Sequence, residues 1–319
     1  MLSKTQPELA AKALEGLSRY EEAPRARPGR QRQALARVRG ASLRDCGGAG
    51  APVVLLPSLI NPPDVLDLDE QVSLAQAIAG MGRHALLLDW GRARERSQLD
   101  LGGHIEELLL PLLREVGEPV ALIGYCLGGT MAIAAANRLP LECLVTLAAP
   151  WRFSAYPEGA RASLKQLWES SRTTAEQLGA LPMEVLQAAF WSLDPRSTVA
   201  KFARFAEVDA DSTEAHRFVT LEDWANEGEP LPCPAARELL EDMFDRDLPG
   251  NGEWRVDGKA VSDTLDVPLV NVTAANDRIT PATAAPSGET LHVDAGHVGM
   301  IVGSARKQLH AVLAEVLRR

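Results

Sequence analysis

Short runs of apolar, β-branched-rich residues recur along this chain, with longer amphipathic stretches between them. "APVVLLP" (51–57), "HALLLDW" (84–90), "PVALIG" (119–124), "LECLVTLAAP" (141–150), "VPLVNVTA" (267–274) and "ETLHVDAG" (289–296) have the length and composition of buried strands. Residues 68–80, 99–116, 127–138 and 303–318 carry apolar side chains at helical spacing. Strands apolar on both faces that alternate with helices predict an α/β fold, a mostly parallel sheet with helices on both faces. Ahead of it, "QALARVRG" and "ASLRDC" predict a short antiparallel pair at the sheet edge. Residues 119–136 carry no charge and have the length of a membrane span. Their three glycines, set between a strand-like and a helix-like half, predict a buried strand–turn–helix instead.

The alternation stops between Pro150 and Asp266. That interval holds "ASLKQLWESSRTTAEQLGALPMEVLQAAFWSL" and "CPAARELLEDMFDRDL", both helical in pattern. It is too long for a connection and predicts a helical layer above the carboxyl ends of the strands, where open α/β sheets bind ligands. The expected organisation is one domain: an N-terminal helix and arm over 1–32, a core over 33–150 and 266–319, and a cap insertion over 151–265. The opening "MLSKTQPELAAKALEGLSRY" has an amphipathic helical pattern and lacks the apolar stretch of a signal peptide, so the expected location is the cytoplasm.

Charge and cysteine content narrow the partners. A formal charge of −10 over 319 residues argues against nucleic acid as the main partner. Between Glu21 and Asp45 the balance reverses locally, with Arg25, Arg27, Arg30, Arg32, Arg37, Arg39 and Arg44. A solvated linker and exposed strand faces account for such a run most simply; the phosphates of a nucleotide-bearing substrate or an acidic partner are the alternative. Cys46, Cys126, Cys143 and Cys233 form no CxxC pair and have no paired histidine spacing, so no disulfide framework, metal or redox cofactor is expected.

The chemistry concentrates at Gly124-Tyr125-Cys126-Leu127-Gly128-Gly129, a G-x-nucleophile-x-G pattern directly after a strand and before a helix. Such a turn strains its central residue, so near neighbours must be almost without side chains. A thiol there stands at a helix N-terminus, where the dipole and free N–H groups favour the thiolate. Cys143, inside an apolar run, reads as a core residue. A thiol nucleophile needs a base, and the base an orienting acid. "VNVTAANDRITP" leaves its apolar run at Asp277 and "LHVDAGHVGM" leaves its own at His297, the positions from which later parallel strands would deliver both beside Cys126. Asp294 is the rival acid, and His84, His104, His216, His292 and His310 lack the strand-end context. For the oxyanion, the expected donors are the backbone N–H groups of Leu127 and Ile60, with Ser58 read as a turn former.

Together these segments resemble the polyhydroxyalkanoate synthases, enzymes of the α/β-hydrolase superfamily that polymerise 3-hydroxyacyl groups from coenzyme A thioesters. "PSLINPPDVLDL" (57–68), "LLLDWG" (86–91), "GYCLGGT", "LEDWANEGEP" (221–230), "FDRDLPGNGEWRVDGKAV" (244–261), "NDRITP" and "AGHVGM" follow the family's pattern in order, from about Arg37 to the end. The resemblance implies an acylated Cys126, His297 as general base and Asp277 as catalytic acid. It also implies a 3-hydroxyacyl-coenzyme A substrate, no cofactor, a separate non-catalytic subunit, a homodimer and a polyester granule surface as partners. Arg278 stands where the family often has histidine, and "LGGHIEELL" (101–109) lacks the family's usual tyrosine. Two other readings remain at this level: a cysteine-dependent hydrolase, of the dienelactone-hydrolase or acyl-thioesterase kind, and an inactive granule-associated scaffold.

Overall fold

The computed structural model describes residues 7–25, 32–193 and 195–319; Arg27 and Arg30 of the arginine-rich arm lie outside them. An eight-stranded sheet forms the centre, with β1 (Ala34–Val38), β2 (Ala41–Asp45), β3 (Pro52–Leu56), β4 (His84–Asp89), β5 (Ala121–Tyr125), β6 (Cys143–Leu147), β7 (Leu269–Ala274) and β8 (Glu289–Val293) in the order β1-β2-β4-β3-β5-β6-β7-β8. β1 pairs antiparallel with β2, and β2 antiparallel with β4; every later pairing is parallel. The chain runs from β3 outward to β4 and then returns to the other side of β3 for β5. That reversal opens a crevice at the carboxyl ends of β3 and β5, the switch point where open α/β sheets take ligands.

The period of two in the strands divides the core. Val54, Leu56, Leu86, Leu88, Leu122 and Leu144 face one hydrophobic cluster, while Val53, Leu55, Leu87, Ile123, Val145 and Leu147 face another. The second face is covered by α2 (Leu74–Gly80) and the C-terminal helix Arg306–Val316. On the first lie α4 (Leu127–Ala136) and α3, which runs through Leu101–His104, a π-helical turn at Ile105–Leu109, and Leu110–Glu115. The wide turn precedes Pro111, whose ring nitrogen has no hydrogen to give to the turn before it.

One helical expectation shifts. Residues 68–73 are not helical: buried Asp67 accepts from Ser73 Oγ at 2.6 Å and from Arg32 Nε at 2.8 Å, and Ser73 caps α2 through Gln76 N. Leu68 and Val72 are therefore buried from an irregular loop, and their apolar spacing imitates a helix. The segment 162–193 is helical, as its pattern predicts, and is divided between two helices. α5 (Glu158–Leu178) ends at Gly179, which adopts φ 74°, and α6 (Met183–Leu193) follows.

α6, α7 (Pro195–Phe205) and α8 (Thr213–Asn226) reach over the carboxyl ends of the strands, whereas residues 233–261 lie on the flank of the sheet. There Glu238 accepts from Leu101 N at 2.7 Å and from Trp254 Nε1 at 2.7 Å, and Trp254 and Val256 join the core cluster of α3. α1 (Pro7–Glu22) docks on α7 and α8 around Tyr20, Phe205, Ala215 and Val219. A side chain at Gly16 would lie 1.9 Å from Phe202 O, so only glycine permits this approach. The described arginines of the arm are mostly neutralised within the chain: Arg25 by Asp223, Arg32 by Asp67, Arg39 by Glu107, and Arg44 by Asp64 and Asp89. Intramolecular pairing, rather than solvation alone, accounts for that run. No helix among the described residues is long and apolar enough to cross a membrane.

Candidate active site

Cys126 is the corner between β5 and α4, with φ 54° and ψ −130°. A non-glycine residue there carries strain of about 1–3 kcal/mol, which the surroundings must hold. They do so by close backbone approach. A Cβ at Gly124 would fall 2.4 Å from Gly129 Cα, and one at Gly128 would fall 2.3 Å from Leu56 O and 2.6 Å from Pro57 O. The glycines thus press the start of α4 against β5 and against the loop that follows β3. Cys126 N is tied to Leu147 O at 2.9 Å, which fixes the corner to β6.

Register delivers the acid and the imidazole. In the β7–β8 pair Ala274 lies beside Val293, and the ladder continues past both strands through Ala275 N to Val293 O and Asn276 N to Ala295 O, each at 2.9 Å. Asp277 and His297 therefore leave the sheet side by side. His297 Nδ1 lies 2.7 Å from Asp277 Oδ2, and the other carboxylate oxygen accepts from Ile279 N and Thr280 N, both at 2.8 Å. Both side chains are almost fully buried, at 7% and 1% exposure.

Burial by itself would push the His297 imidazole below its ordinary value. The negative charge at Cys126, the hydrogen bond to Asp277 and a further one to Cys126 outweigh it and hold the ring up at about 10. Cys126 and His297 line the same cavity. Tyr125 adds a brace: its ring packs against His297 with centroids 5.0 Å apart, and its hydroxyl donates to His297 O at 3.3 Å.

The remaining sequence candidates separate. Leu127 is the first residue of α4, so its N–H belongs to the unpaired first turn. Ile60 N donates to Ser58 Oγ at 3.4 Å, a long bond made by the turn serine. Asp294 is turned toward Asn276, whose Nδ2 donates to it at 2.9 Å, and His292 Nδ1 lies 2.7 Å from Thr273 Oγ1. Neither Asp294 nor His292 lines the Cys126 cavity. Cys143 is a buried strand residue whose thiol burial pushes up to about 11. His104 lies in α3, the helix that lacks the expected tyrosine. It is fully buried, bonded to Asp100 O at 2.6 Å through Nδ1 and to Arg96 Nη1 at 3.1 Å through Nε2.

Cys126 and His297 open into a cavity of about 180 Å³. Pro57, Val65, Ile279 and Val298 supply apolar wall from the core side, while Gln187, Lys201, Glu222 and Trp224 come from α6, α7 and α8. α8 is sewn to the loop after β3, Trp224 Nε1 donating to Pro62 O at 2.8 Å. A larger cavity of about 580 Å³ adjoins the first across Ile60, Asn61, Pro62 and Gln187. None of the cap lining was assigned from sequence; the signal lay in "LEDWANEGEP", which carries Glu222 and Trp224.

Sheet order, crevice and elbow define the chain as an α/β-hydrolase-fold protein. An epoxide hydrolase from Bacillus megaterium superposes with a TM-score of 0.58 at 14% identity, covering 88% of this chain and 99% of that one. Epoxide hydrolase A from Mycobacterium thermoresistibile does so with a TM-score of 0.51 at 16% identity, covering 90% and 98%. These likenesses concern the fold. In sequence the chain resembles poly(3-hydroxyalkanoate) polymerase subunits PhaC: it is 26% identical to that of Haloferax mediterranei over 79% of this chain, and 25% identical to that of Thiocystis violacea over 83%. It spans 55% of the Haloferax relative's length and 80% of the Thiocystis relative's. No protein-family model matches the sequence.

Proposed function

We propose that the chain is a polyhydroxyalkanoate-synthase-type acyltransferase that carries its acyl group on Cys126. The observation that carries this reading is the hydrogen-bonded Asp277–His297 pair beside Cys126 on one cavity, in a chain similar to polymerase subunits. Cys126 Sγ attacks the carbonyl carbon of a 3-hydroxyacyl-coenzyme A; the new C–S bond forms as the bond to coenzyme A sulfur breaks, and protonated His297 returns a proton to the departing thiolate. In the next step the hydroxyl of an incoming unit gives its proton to His297, its oxygen forms an ester bond to the acyl carbon, and Cys126 leaves as thiolate. The amides of Leu127 and Ile60 would hold the oxyanion in both steps, Ile60 giving up its long contact with Ser58.

Cysteine suits this sequence because exchange of one thioester for another changes free energy little, and the acyl-enzyme stays activated for a hydroxyl. A serine ester would lie lower and transfer onward less readily. The chemistry needs no cofactor. A separate non-catalytic subunit, a second copy of the chain and the granule surface are the partners this reading calls for, in the cytoplasm. Incubation with 3-hydroxybutyryl-coenzyme A should release free coenzyme A together with insoluble polyester, and Cys126→Ala should abolish both. Release accompanied only by free acid would favour a thioesterase. No turnover together with an unreactive Cys126 thiol toward iodoacetamide would favour the scaffold.

A further inference from the structure

The Cys126 cavity contains a charged pair that the chemistry above does not use. Glu222 on α8 and Lys201 on α7 both line it, and Lys201 Nζ lies 2.6 Å from Glu222 Oε2. Apart from Cys126, His297 and Tyr125, they are the ionisable side chains of that lining; the others are apolar or neutral. Glu222 is only 6% exposed. A carboxylate so far from water needs its acceptor positions filled, because a vacant one forgoes the hydrogen bonds that water would make. Lys201 fills one oxygen and is itself held, its ammonium 5.0 Å from the centroid of the Phe202 ring. The Lys201 bond is to Oε2; Oε1 is not among the sealed, unpartnered polar atoms of the described residues, and Glu222 lines the cavity.

We infer that Glu222 Oε1 accepts a hydrogen bond from the hydroxyl of the acyl substrate and selects hydroxyacyl over plain acyl thioesters, with Lys201 as the residue that positions it. This rests on the acyl-transfer reading of Cys126. A thioester group offers no donor, so the donor must lie on the chain attached to its carbonyl or in the coenzyme arm. The acyl part is what must occupy the small cavity when its carbonyl reaches Cys126, and its hydroxyl is the donor that arrives there. A site built to pair with a hydroxyl rejects the analogue lacking it, because the protein's own acceptor then forgoes that hydrogen bond. A charged acceptor strengthens the effect.

The test compares 3-hydroxybutyryl-coenzyme A with butyryl-coenzyme A, which share the coenzyme arm and differ in the hydroxyl. Acylation of Cys126 is followed by coenzyme A release and by intact-protein mass. The wild type should acylate from the hydroxyacyl substrate with a kcat/KM about 10–100-fold above that for butyryl. Glu222→Gln should lower the hydroxyacyl value by a similar factor and leave the butyryl value within about threefold. Should that variant fold poorly, Lys201→Met combined with Glu222→Gln removes both charges together and should show the same loss of discrimination. Equal loss on both substrates, or an unchanged ratio, would overturn the assignment while leaving the acyl-transfer reading intact. No acylation of the wild type by either substrate would overturn the acyl-transfer reading, and this assignment with it.

Discussion

Replacing Asp277 by asparagine should invert the proton on His297. The carboxylate does two things at once: Oδ1 accepts from the backbone N–H groups of Ile279 and Thr280, and Oδ2 faces His297 Nδ1. An amide has one oxygen and one NH₂. The two backbone donors are fixed, so the oxygen goes to them and the NH₂ turns toward the ring. His297 Nδ1 must then be the acceptor, which puts the proton of the neutral ring on Nε2, where it cannot receive the thiol proton. Restoring the useful tautomer means flipping the amide and leaving both buried N–H groups unpaired, at about 1–3 kcal/mol each. The sum, about 2–6 kcal/mol, corresponds to a loss of roughly 30-fold to 10⁴-fold at 1.36 kcal/mol per decade. Initial coenzyme A release from 3-hydroxybutyryl-coenzyme A measures this on the proposed reaction, and the rate of Cys126 alkylation by iodoacetamide measures it without any substrate. Both should fall in Asp277→Asn while the melting temperature moves by only a few degrees. A variant that kept both rates within about threefold of the wild type would refute the tautomer reasoning and the role of Asp277 together.

Three further outcomes follow from the same geometry. Burial pushes the His104 imidazole down to about 4, from 6.5 when free. Its contribution to stability is therefore complete above about pH 6.5 and is lost as pH falls toward 4, by about 3 kcal/mol in all. Urea unfolding at pH 7 and pH 4.5 should show that dependence in the wild type and much less of it in His104→Gln; parallel changes would contradict it. Gly128→Ala should cost more than about 3 kcal/mol, because the new methyl meets backbone oxygen at 2.3 Å and 2.6 Å, whereas Gly159→Ala, with nothing near its Cβ, should be neutral or slightly stabilising in thermal melts. Brief iodoacetamide treatment at pH 7.5 should label Cys126 first, since burial pushes Cys143 up to about 11 and Cys46 up to about 12. Peptide mapping that found Cys143 or Cys46 modified before Cys126 would be inconsistent with the elbow assignment.

Much of this molecule is written locally. β3 to β7 fall within a few residues of their apolar runs, because a strand buried on both faces must be apolar at nearly every position; β8, at the sheet edge, is mostly exposed. The elbow is legible for a related reason: its geometry demands glycines at fixed offsets, and only glycine tolerates backbone atoms 2.3–2.4 Å from where a Cβ would be. Asp277 and His297 could be picked out because each follows directly on a strand end, and a strand end fixes where the next residues emerge.

What the sequence left open depends on contacts between distant segments. The loop around Asp67 imitates a helix until Ser73 and Arg32 close on it, and the arginine-rich arm resembles a free cationic surface until Asp223, Asp67, Glu107, Asp64 and Asp89 meet it. The cap obeys no register, so no spacing rule foretold that Gln187, Lys201, Glu222 and Trp224 would face the thiol, or that residues 233–261 would settle on the flank instead of above the strands. Periodicity and backbone strain act over a few residues and leave their mark in the order of amino acids. Side-chain packing between helices is chosen by shape and charge across long loops, and only the folded chain records that choice.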